Sequence, residues 1–117
     1  MELVGPVFAR GSGSERVLAL RVEDRHRNAG GVAHGGLLAT LVDFALGRAI
    51  EADADDQQPR MTVSLTTDYL SAVEPGSWLE AHTHVDRLGS TLAFADCSLE
   101  VDGEEVVRAR AVFAALS

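Results

Sequence analysis

Apolar residues recur at helical spacing along one stretch of the chain, from His34 to about Ile50. Spacings of three and four residues put the following side chains on one broad stripe of an α-helix: Leu37, Leu38, Leu41, Val42, Ala45, Leu46, Ala49 and Ile50. Alanine, leucine and phenylalanine also fill much of the remaining surface, and a helix that is apolar nearly all round is normally buried on most sides. The pattern predicts one long buried helix that begins at Gly35-Gly36 and ends near Glu51.

The other apolar residues fall into six segments of strand length. Two short ones, at 4–10 and 16–22, flank the sequence Gly11-Ser12-Gly13-Ser14, which is typical of a turn. Four long segments follow the helix and cover residues 61–73, 78–87, 91–101 and 104–116. An acidic loop separates the helix from the first of them and contains Asp53, Asp55, Asp56, Gln57, Gln58 and Pro59.

Short turns join the four long segments. Glu74-Pro75-Gly76-Ser77 has proline and glycine where a type II turn requires them, Leu88-Gly89-Ser90 is a tighter break, and Asp102-Gly103 favours a two-residue hairpin. Strands joined by such turns predict an antiparallel meander that curls around the helix. The fold class is therefore α+β, in a single domain that spans residues 1–117, and its edge strands are available to pair with another subunit.

Charge and cysteine content exclude several classes of protein. The formal net charge is −8, and all ten basic residues are arginines. A nucleic-acid partner would require a basic face, so we expect none. Cys97 is the only cysteine, which rules out an intramolecular disulfide and suits a reducing compartment. The chain has neither a signal-peptide pattern nor an apolar window of membrane-spanning length, so we expect a cytoplasmic protein without a membrane partner.

Asp43 is the anomalous residue of the predicted helix. An ionised carboxylate within the most apolar segment of the chain is costly unless it is paired or used in chemistry. From the residues alone, a structural hydrogen bond and a functional role both remain open.

Gly35-Gly36 lies at the N-terminal end of the same helix, where free N–H groups and the positive end of the helix dipole can hold an oxyanion. A flexible, closely packed helix start is the alternative interpretation. Eight helical residues separate Gly35 from Asp43 by about 12 Å along the axis, so one carbonyl cannot contact both. If both act on one substrate, Gly35 of one subunit faces Asp43 of another, which predicts a dimer with two equivalent sites.

Three segments resemble a known family. His34-Gly35-Gly36 followed by Thr40-Leu41-Val42-Asp43, with Asn28 before it, is similar to the helix motif of the PaaI-type acyl-CoA thioesterases of the hotdog superfamily. Residues 62–70 and 89–94 are similar to the next strand and to a later turn and strand of that family. The resemblance implies the hotdog fold, a long antiparallel sheet wrapped around one central helix.

The resemblance also implies an activity, the hydrolysis of a small or medium, including aryl, acyl-CoA thioester to free acid and coenzyme A. In that mechanism the N–H of Gly35 and the side chain of Asn28 polarise the thioester carbonyl. Asp43 then acts as general base or as nucleophile, two routes that the sequence leaves open. Thr62 corresponds to a position thought to orient the water, or the carboxylate from the partner subunit. No cofactor and no metal are implied.

Residues around this motif are expected to contact the substrate. His34 and Gly36 would shape the start of the helix rather than perform chemistry. Arg60 and Arg87 are candidates to hold the coenzyme A phosphates, with Arg108 and Arg110 behind them. Ser90 stands where relatives often carry lysine or arginine, a departure that puts the usual phosphate contact in question. Five further residues either line an apolar acyl tunnel or belong to the ordinary core: Phe44, Leu46, Gly47, Tyr69 and Phe94.

Other interpretations remain open. His82 and His84 share one face of a predicted strand, but no third metal ligand is apparent, and a solvated or interface face is favoured over a metal site. On the same scaffold the protein could instead be an acyl-thioester dehydratase or a non-catalytic acyl-CoA-binding module. Asp43 on the helix favours hydrolysis over both. The resemblance finally implies a homodimer that pairs again into a homotetramer, a dimer of dimers.

Overall fold

The computed structural model describes residues 4–11, 16–54 and 58–116. Its helix and strands follow in this order: β1 (Val7–Arg10), β2 (Val17–Arg21), α1 (Gly35–Ala54), β3 (Arg60–Tyr69), β4 (Trp78–Leu88), β5 (Leu92–Val101) and β6 (Glu104–Ala115), with a short 3-10 turn at Asp24–His26 before the helix. Residues 12–14 of the predicted first turn and residues 55–57 of the predicted acidic loop lie outside the described residues.

The helix begins at Gly35, as the sequence predicts, but it continues to Ala54 instead of ending near Glu51. The three additional residues include two alanines, the strongest helix former, and no glycine or proline that would stop the helix. All eight residues of the predicted apolar stripe are buried. Gly36, Thr40, Arg48 and Glu51 form one exposed flank, while most other residues of α1 are buried or half-buried, as the sequence predicts.

The six strands form one antiparallel sheet in the order β1-β2-β4-β5-β6-β3. The predicted meander is confirmed for β4, β5 and β6. It is wrong for β3, which pairs with β6 at the edge of the sheet rather than with β4. The physical reason is that β4 already has β2 and β5 on its two sides, so β3 can pair only at an end of the sheet, and it pairs with the free side of β6.

The segment between β3 and β4 is consequently a crossing and not a hairpin. The turn at Glu74-Pro75-Gly76-Ser77 forms as predicted: the N–H of Ser77 donates to the carbonyl of Glu74 (3.2 Å), and Gly76 has a φ of 96° that suits glycine. However, β3 ends at Tyr69, four residues earlier than expected. Residues 70–73 lead the chain past β6 and the segment before α1, held by hydrogen bonds from Leu70 to Val106 and from Ala33 to Val73.

The core fills the space between α1 and the inner face of the sheet. Its fully buried large side chains come from both layers: Leu41, Leu46 and Ile50 on the helix, and Leu20, Leu79, Leu99 and Val107 on the strands. Burial of such a side chain stabilises the folded state by roughly 1.5–3 kcal/mol. The helix contacts β3, β4, β5 and β6, which holds one flank of α1 beside the edge strand β3. No helix among the described residues is both long and apolar enough to cross a bilayer.

Candidate active site

Asp43 lies in the middle of α1 on the flank that faces β3. Its carboxylate Oδ1 accepts a hydrogen bond from the hydroxyl of Thr62, at 2.6 Å. Both residues are half-buried, so Asp43 is less enclosed than its apolar neighbourhood in the sequence suggests. The contact is formed within one chain, whereas the resemblance implied that Thr62 helps orient the water, or the carboxylate from the partner subunit.

An irregularity in β3 aims Thr62 at the helix. The pairing of β3 with β6 shifts register between Thr62 and Ser64, with Val63 as the extra residue. Two residues of a regular strand that are two positions apart share a face, but a bulge between them breaks this relation. Thr62 therefore points toward α1, and Ser64 faces the outer side of the sheet together with Thr66. Alternation in the sequence gives no sign of this bulge.

The helix start is closed by a hydrogen bond from the N–H of Leu38 to the carbonyl of His34, at 3.2 Å. The N–H groups of Gly35, Gly36 and Leu37 precede that first bond, and N–H groups in this position have no partner within their helix. The side chain of His34 is exposed, and its backbone N–H donates to the carbonyl of His26. The geometry thus fits the expectation that His34 shapes the helix start.

Tyr69, at the end of β3, contacts the same helix start. Its hydroxyl donates to the carbonyl oxygen of Gly35, at 3.0 Å. A Cβ atom on Gly35 would lie 3.4 Å from the tyrosine ring, whereas one on Gly36 would meet nothing within 4 Å. A Cβ atom would thus be in ordinary contact with Tyr69 at position 35 and in open space at position 36. The sequence interpretation, which offered Tyr69 as a tunnel or core residue, missed this hydrogen bond and had no signal for it.

Asn28 organises the loop before the helix. Its side-chain oxygen accepts hydrogen bonds from the N–H groups of Gly30 (2.9 Å) and Val32 (3.3 Å), and its own backbone N–H donates to the carbonyl of Val32. With Oδ1 committed to the loop, the amide nitrogen Nδ2 is the part of the side chain left to donate to another group. Asn28 can therefore supply a hydrogen-bond donor without losing its structural contacts.

Arg60, Arg87 and Ser90 lie at one end of the sheet. Arg60 begins β3 opposite Ala115, Arg87 is near the end of β4, and Ser90 is in the turn between β4 and β5. Thr62 is two residues from Arg60, so this is also the end at which Asp43 finds its partner.

The other two candidate arginines face outward on β6. Arg108 donates to the carboxylate of Glu105 at 2.6 Å. Hydrogen bonds from Ser98 and Arg108 hold the pKa of Glu105 below its ordinary value, and the same contact with Glu105 raises the pKa of Arg108. Arg110 pairs across the sheet with Thr66 on that outer face, away from α1. Neither arginine is placed beside Asp43.

The surroundings of Cys97 and of the two histidines on β4 indicate what chemistry these side chains can perform. Burial, with a smaller effect from the charge of Asp96, raises the pKa of the Cys97 thiol to about 12, so Cys97 is protonated at neutral pH and is a poor nucleophile. His82 lies 3.0 Å from Glu80 and His84 lies 3.4 Å from Asp96 on the outer sheet face. Within the three described stretches of chain, no group of three His, Cys, Asp or Glu side chains is arranged to hold a metal.

The structure does not bring the candidate tunnel residues together. Leu46 is fully buried in the core, Phe94 lies on the outer sheet face, and Tyr69 is at the helix start. A pocket of about 320 Å³ does adjoin Gly35, and it is lined mainly by small and apolar residues: Val32, Ala33, Gly35, Leu38, Tyr69, Leu70, Ser71, Ala72 and Val73. An apolar space therefore lies next to the helix start.

Comparisons with known proteins show the family of the chain. Residues 30–108 match the model of the thioesterase superfamily. The chain is 43% identical over 114 residues to a Pseudomonas aeruginosa protein named "Putative esterase PA0474", covering 97% of this chain and 85% of that protein. It is 34% identical to mouse acyl-coenzyme A thioesterase 13 over 83 residues, which are 71% of this chain and 59% of the mouse protein.

Solved structures give the same result for the fold. A mutant of the phenylacetic acid degradation protein PaaI from Thermus thermophilus superimposes with a TM-score of 0.88 at 26% identity, covering 99% of this chain and 97% of that one. The six-stranded antiparallel sheet with one long central helix is thus the hotdog architecture of these neighbours.

Proposed function

The chain belongs to the thioesterase superfamily and is a thioester hydrolase, and we propose that it acts on the coenzyme A thioester of a small or medium, including aryl, acyl group. The single observation that carries the proposed mechanism is the hydrogen bond between Thr62 and Asp43. It assigns the carboxylate a fixed orientation and a partner, as a reacting group requires.

In this mechanism, Asp43 supplies the attack on the thioester carbonyl. The Thr62 hydroxyl occupies Oδ1, which leaves Oδ2 to accept a proton from water or to attack the carbonyl carbon directly. These are the general-base and nucleophilic routes, and the same geometry supports both. Cys97 offers no competing nucleophile, since it is buried and protonated.

The start of α1 would stabilise the oxyanion that forms on the carbonyl. The N–H of Gly35 lies where the helix dipole is positive, and the amide nitrogen of Asn28 is a second donor. Loss of one such donor typically lowers kcat by about 10²–10³. Tyr69 would keep this helix start in place through its hydrogen bond to Gly35.

Two chains would complete each active site. Gly35 and Asp43 are about 12 Å apart along one helix, which is too far for a single thioester group. The edge strand β3 offers unpaired backbone groups and exposed Met61 and Val63, a surface suited to a second copy. An isologous dimer through β3 would place Gly35 of one subunit beside Asp43 of the other, and we propose that two such dimers associate into a tetramer.

Coenzyme A is the proposed carrier because mouse acyl-coenzyme A thioesterase 13 is among the relatives. Arg60 and Arg87 would hold its phosphates, with Ser90 in the adjacent turn. All three occupy the sheet end near Thr62, which supports a common path for the carrier. The pocket beside Gly35 would receive part of the acyl or pantetheine chain.

The test is thiol release from a panel of short, medium, branched and aryl acyl-CoAs, comparing the native protein with Asp43→Asn. This substitution keeps the shape of the side chain and removes its charge. We expect kcat to fall by a factor of about 10² or more, while folding and substrate binding persist. Asp102→Asn, an equal change of charge on an exposed residue in the turn between β5 and β6, is the matched control and should retain activity. Full turnover by Asp43→Asn would exclude the proposed mechanism, and no turnover of any acyl-CoA by the native protein would exclude the substrate class.

A further inference from the structure

A groove follows the flank of α1 that faces β1 and β2. It consists of two adjoining cavities of about 560 and 550 Å³ that share Arg16, Leu18 and Arg48 as walls. Phe44 and Arg48, one helical turn apart, form the helix side, and β1 forms the opposite side through Val7 and Ala9. We call this feature the arginine groove.

The arginine groove is separate from the proposed catalytic carboxylate. Asp43 faces the edge strand β3 through Thr62, and consecutive helical residues point about 100° apart, so Phe44 already belongs to another side of α1. Neither cavity is lined by Asp43, Gly35 or Asn28. The groove is thus a second concave surface, apart from these three proposed catalytic groups.

Two guanidinium groups line the junction of the cavities in a chain whose net charge is −8. Arg48 has only a loose contact with Glu51, at 4.0 Å, and its guanidinium lies 5.6 Å from the centre of the Phe44 ring. Arg16 makes no ion pair within the described residues. Glu51 is the one acidic side chain among the described lining residues. The junction therefore favours an anion despite the acidic balance of the whole chain.

The cavity beside β1 has apolar walls on one side of the arginines. It is lined by Gly5, Pro6, Val7, Ala9 and Phe44, whereas the other cavity combines small apolar residues with the polar side chains of Gln58 and Thr83. A nucleotide phosphate would satisfy the arginines, but its polar body would leave these walls unused. A carboxylate attached to a hydrocarbon or aryl body satisfies both, because guanidinium groups bind carboxylates with two parallel hydrogen bonds and apolar surface is removed from water.

We propose that the arginine groove binds free carboxylic acids with an apolar body, with the carboxylate between Arg16 and Arg48. This is the chemical class of acid that thioester hydrolysis releases, and only that link to catalysis depends on the proposed function. The groove gives the protein a place for such an acid apart from Asp43.

The experiment measures octanoate binding to the native protein by calorimetry and by backbone NMR shifts. We expect saturable binding that shifts the signals of Val7, Ala9 and Phe44. Arg16→Gln and Arg48→Gln should each weaken binding by about tenfold, which is typical for loss of one charged hydrogen-bonding partner. Arg10→Gln is the matched control, since it removes the same charge from the opposite face of β1, where Arg10 pairs with Glu80, and should bind octanoate normally.

A second variant tests the groove without removing an arginine. Ala9→Glu places a carboxylate in the apolar cavity at an exposed strand position, and it should abolish binding while the thermal unfolding curve stays close to that of the native protein. Equal binding of octan-1-ol, tighter binding of adenosine diphosphate, or shifts confined to Gly35 and Gly36 would each overturn the proposal. Asp43→Asn should still bind octanoate, so this experiment tests octanoate binding independently of the catalytic mechanism.

Discussion

Tyr69 joins the end of β3 to the start of α1 through two parts of its side chain. The ring rests against the space where a Gly35 side chain would stand, and the hydroxyl donates to the Gly35 carbonyl. The carbonyl belongs to the peptide that also carries the N–H of Gly36, so the contact sets the orientation of the helix start. In the proposed mechanism, Tyr69 is consequently a positioning residue for the oxyanion donors, and its ring also lines the pocket beside Gly35.

Tyr69→Phe tests the contribution of the hydroxyl apart from that of the ring, because it removes the hydroxyl and keeps the ring. A hydrogen bond of this kind contributes about 0.5–1.5 kcal/mol, so we expect kcat for acyl-CoA hydrolysis to fall roughly threefold to tenfold with KM nearly unchanged. Steady-state kinetics at several substrate concentrations provide the measurement. An unchanged kcat, or a change confined to KM, would contradict the positioning role.

At the level of single residues, the sequence identifies Asp43 because a carboxylate within an apolar helix is conspicuous by itself. The sequence points to Thr62 only through the resemblance, because the orientation of Thr62 toward Asp43 depends on the bulge at Val63. The contact between Tyr69 and Gly35 cannot be predicted from the sequence for a similar reason, because it depends on where β3 ends relative to α1. Side chains that act through a distant element leave no pattern in the sequence.

At the level of elements, periodicity locates α1 and all six strands but not the neighbour of β3. Local turn chemistry correctly predicts the turn at Pro75-Gly76. It cannot reveal that β2, which precedes the helix, occupies the side of β4 where β3 was expected. Strand order depends on pairing between distant segments, and here that pairing leaves β3 at the edge, beside the flank of α1 that carries Asp43.

The two glycines at the start of α1 have different surroundings, which gives a matched pair of variants. Gly35→Val would press a branched side chain against the Tyr69 ring, whereas Gly36→Val meets open space. Both changes have the same intrinsic helix propensity, so a difference between them reports the Tyr69 contact. We expect Gly35→Val to lower kcat by about 10² or more, because a displaced helix start would turn the retained N–H away from the oxyanion, with an effect like the loss of one donor. Gly36→Val should retain most activity, and equal losses in the two variants would contradict this account.

At the level of the whole molecule, the separation of Gly35 and Asp43 along α1 means that each proposed active site draws on two chains. A mixture of two inactive variants tests this directly. When Asp43→Asn and Gly35→Val chains exchange subunits, half of the dimers are mixed, and each mixed dimer contains one site built from a native Gly35 and a native Asp43. Activity should therefore return to about one quarter of the native value, measured as thiol release after subunit exchange.

The contact between Thr62 and Asp43 provides the control for that mixture. Since both residues belong to one chain, Asp43→Asn and Thr62→Val damage the same half of the site. A mixed dimer of these two variants contains no intact site, so its activity should equal the average of the two separate proteins. Recovery with Gly35→Val but not with Thr62→Val would establish that the helix start and the carboxylate come from different subunits. Recovery in neither mixture would mean that each chain forms its active site alone, and recovery in both would mean that Thr62 acts across the interface.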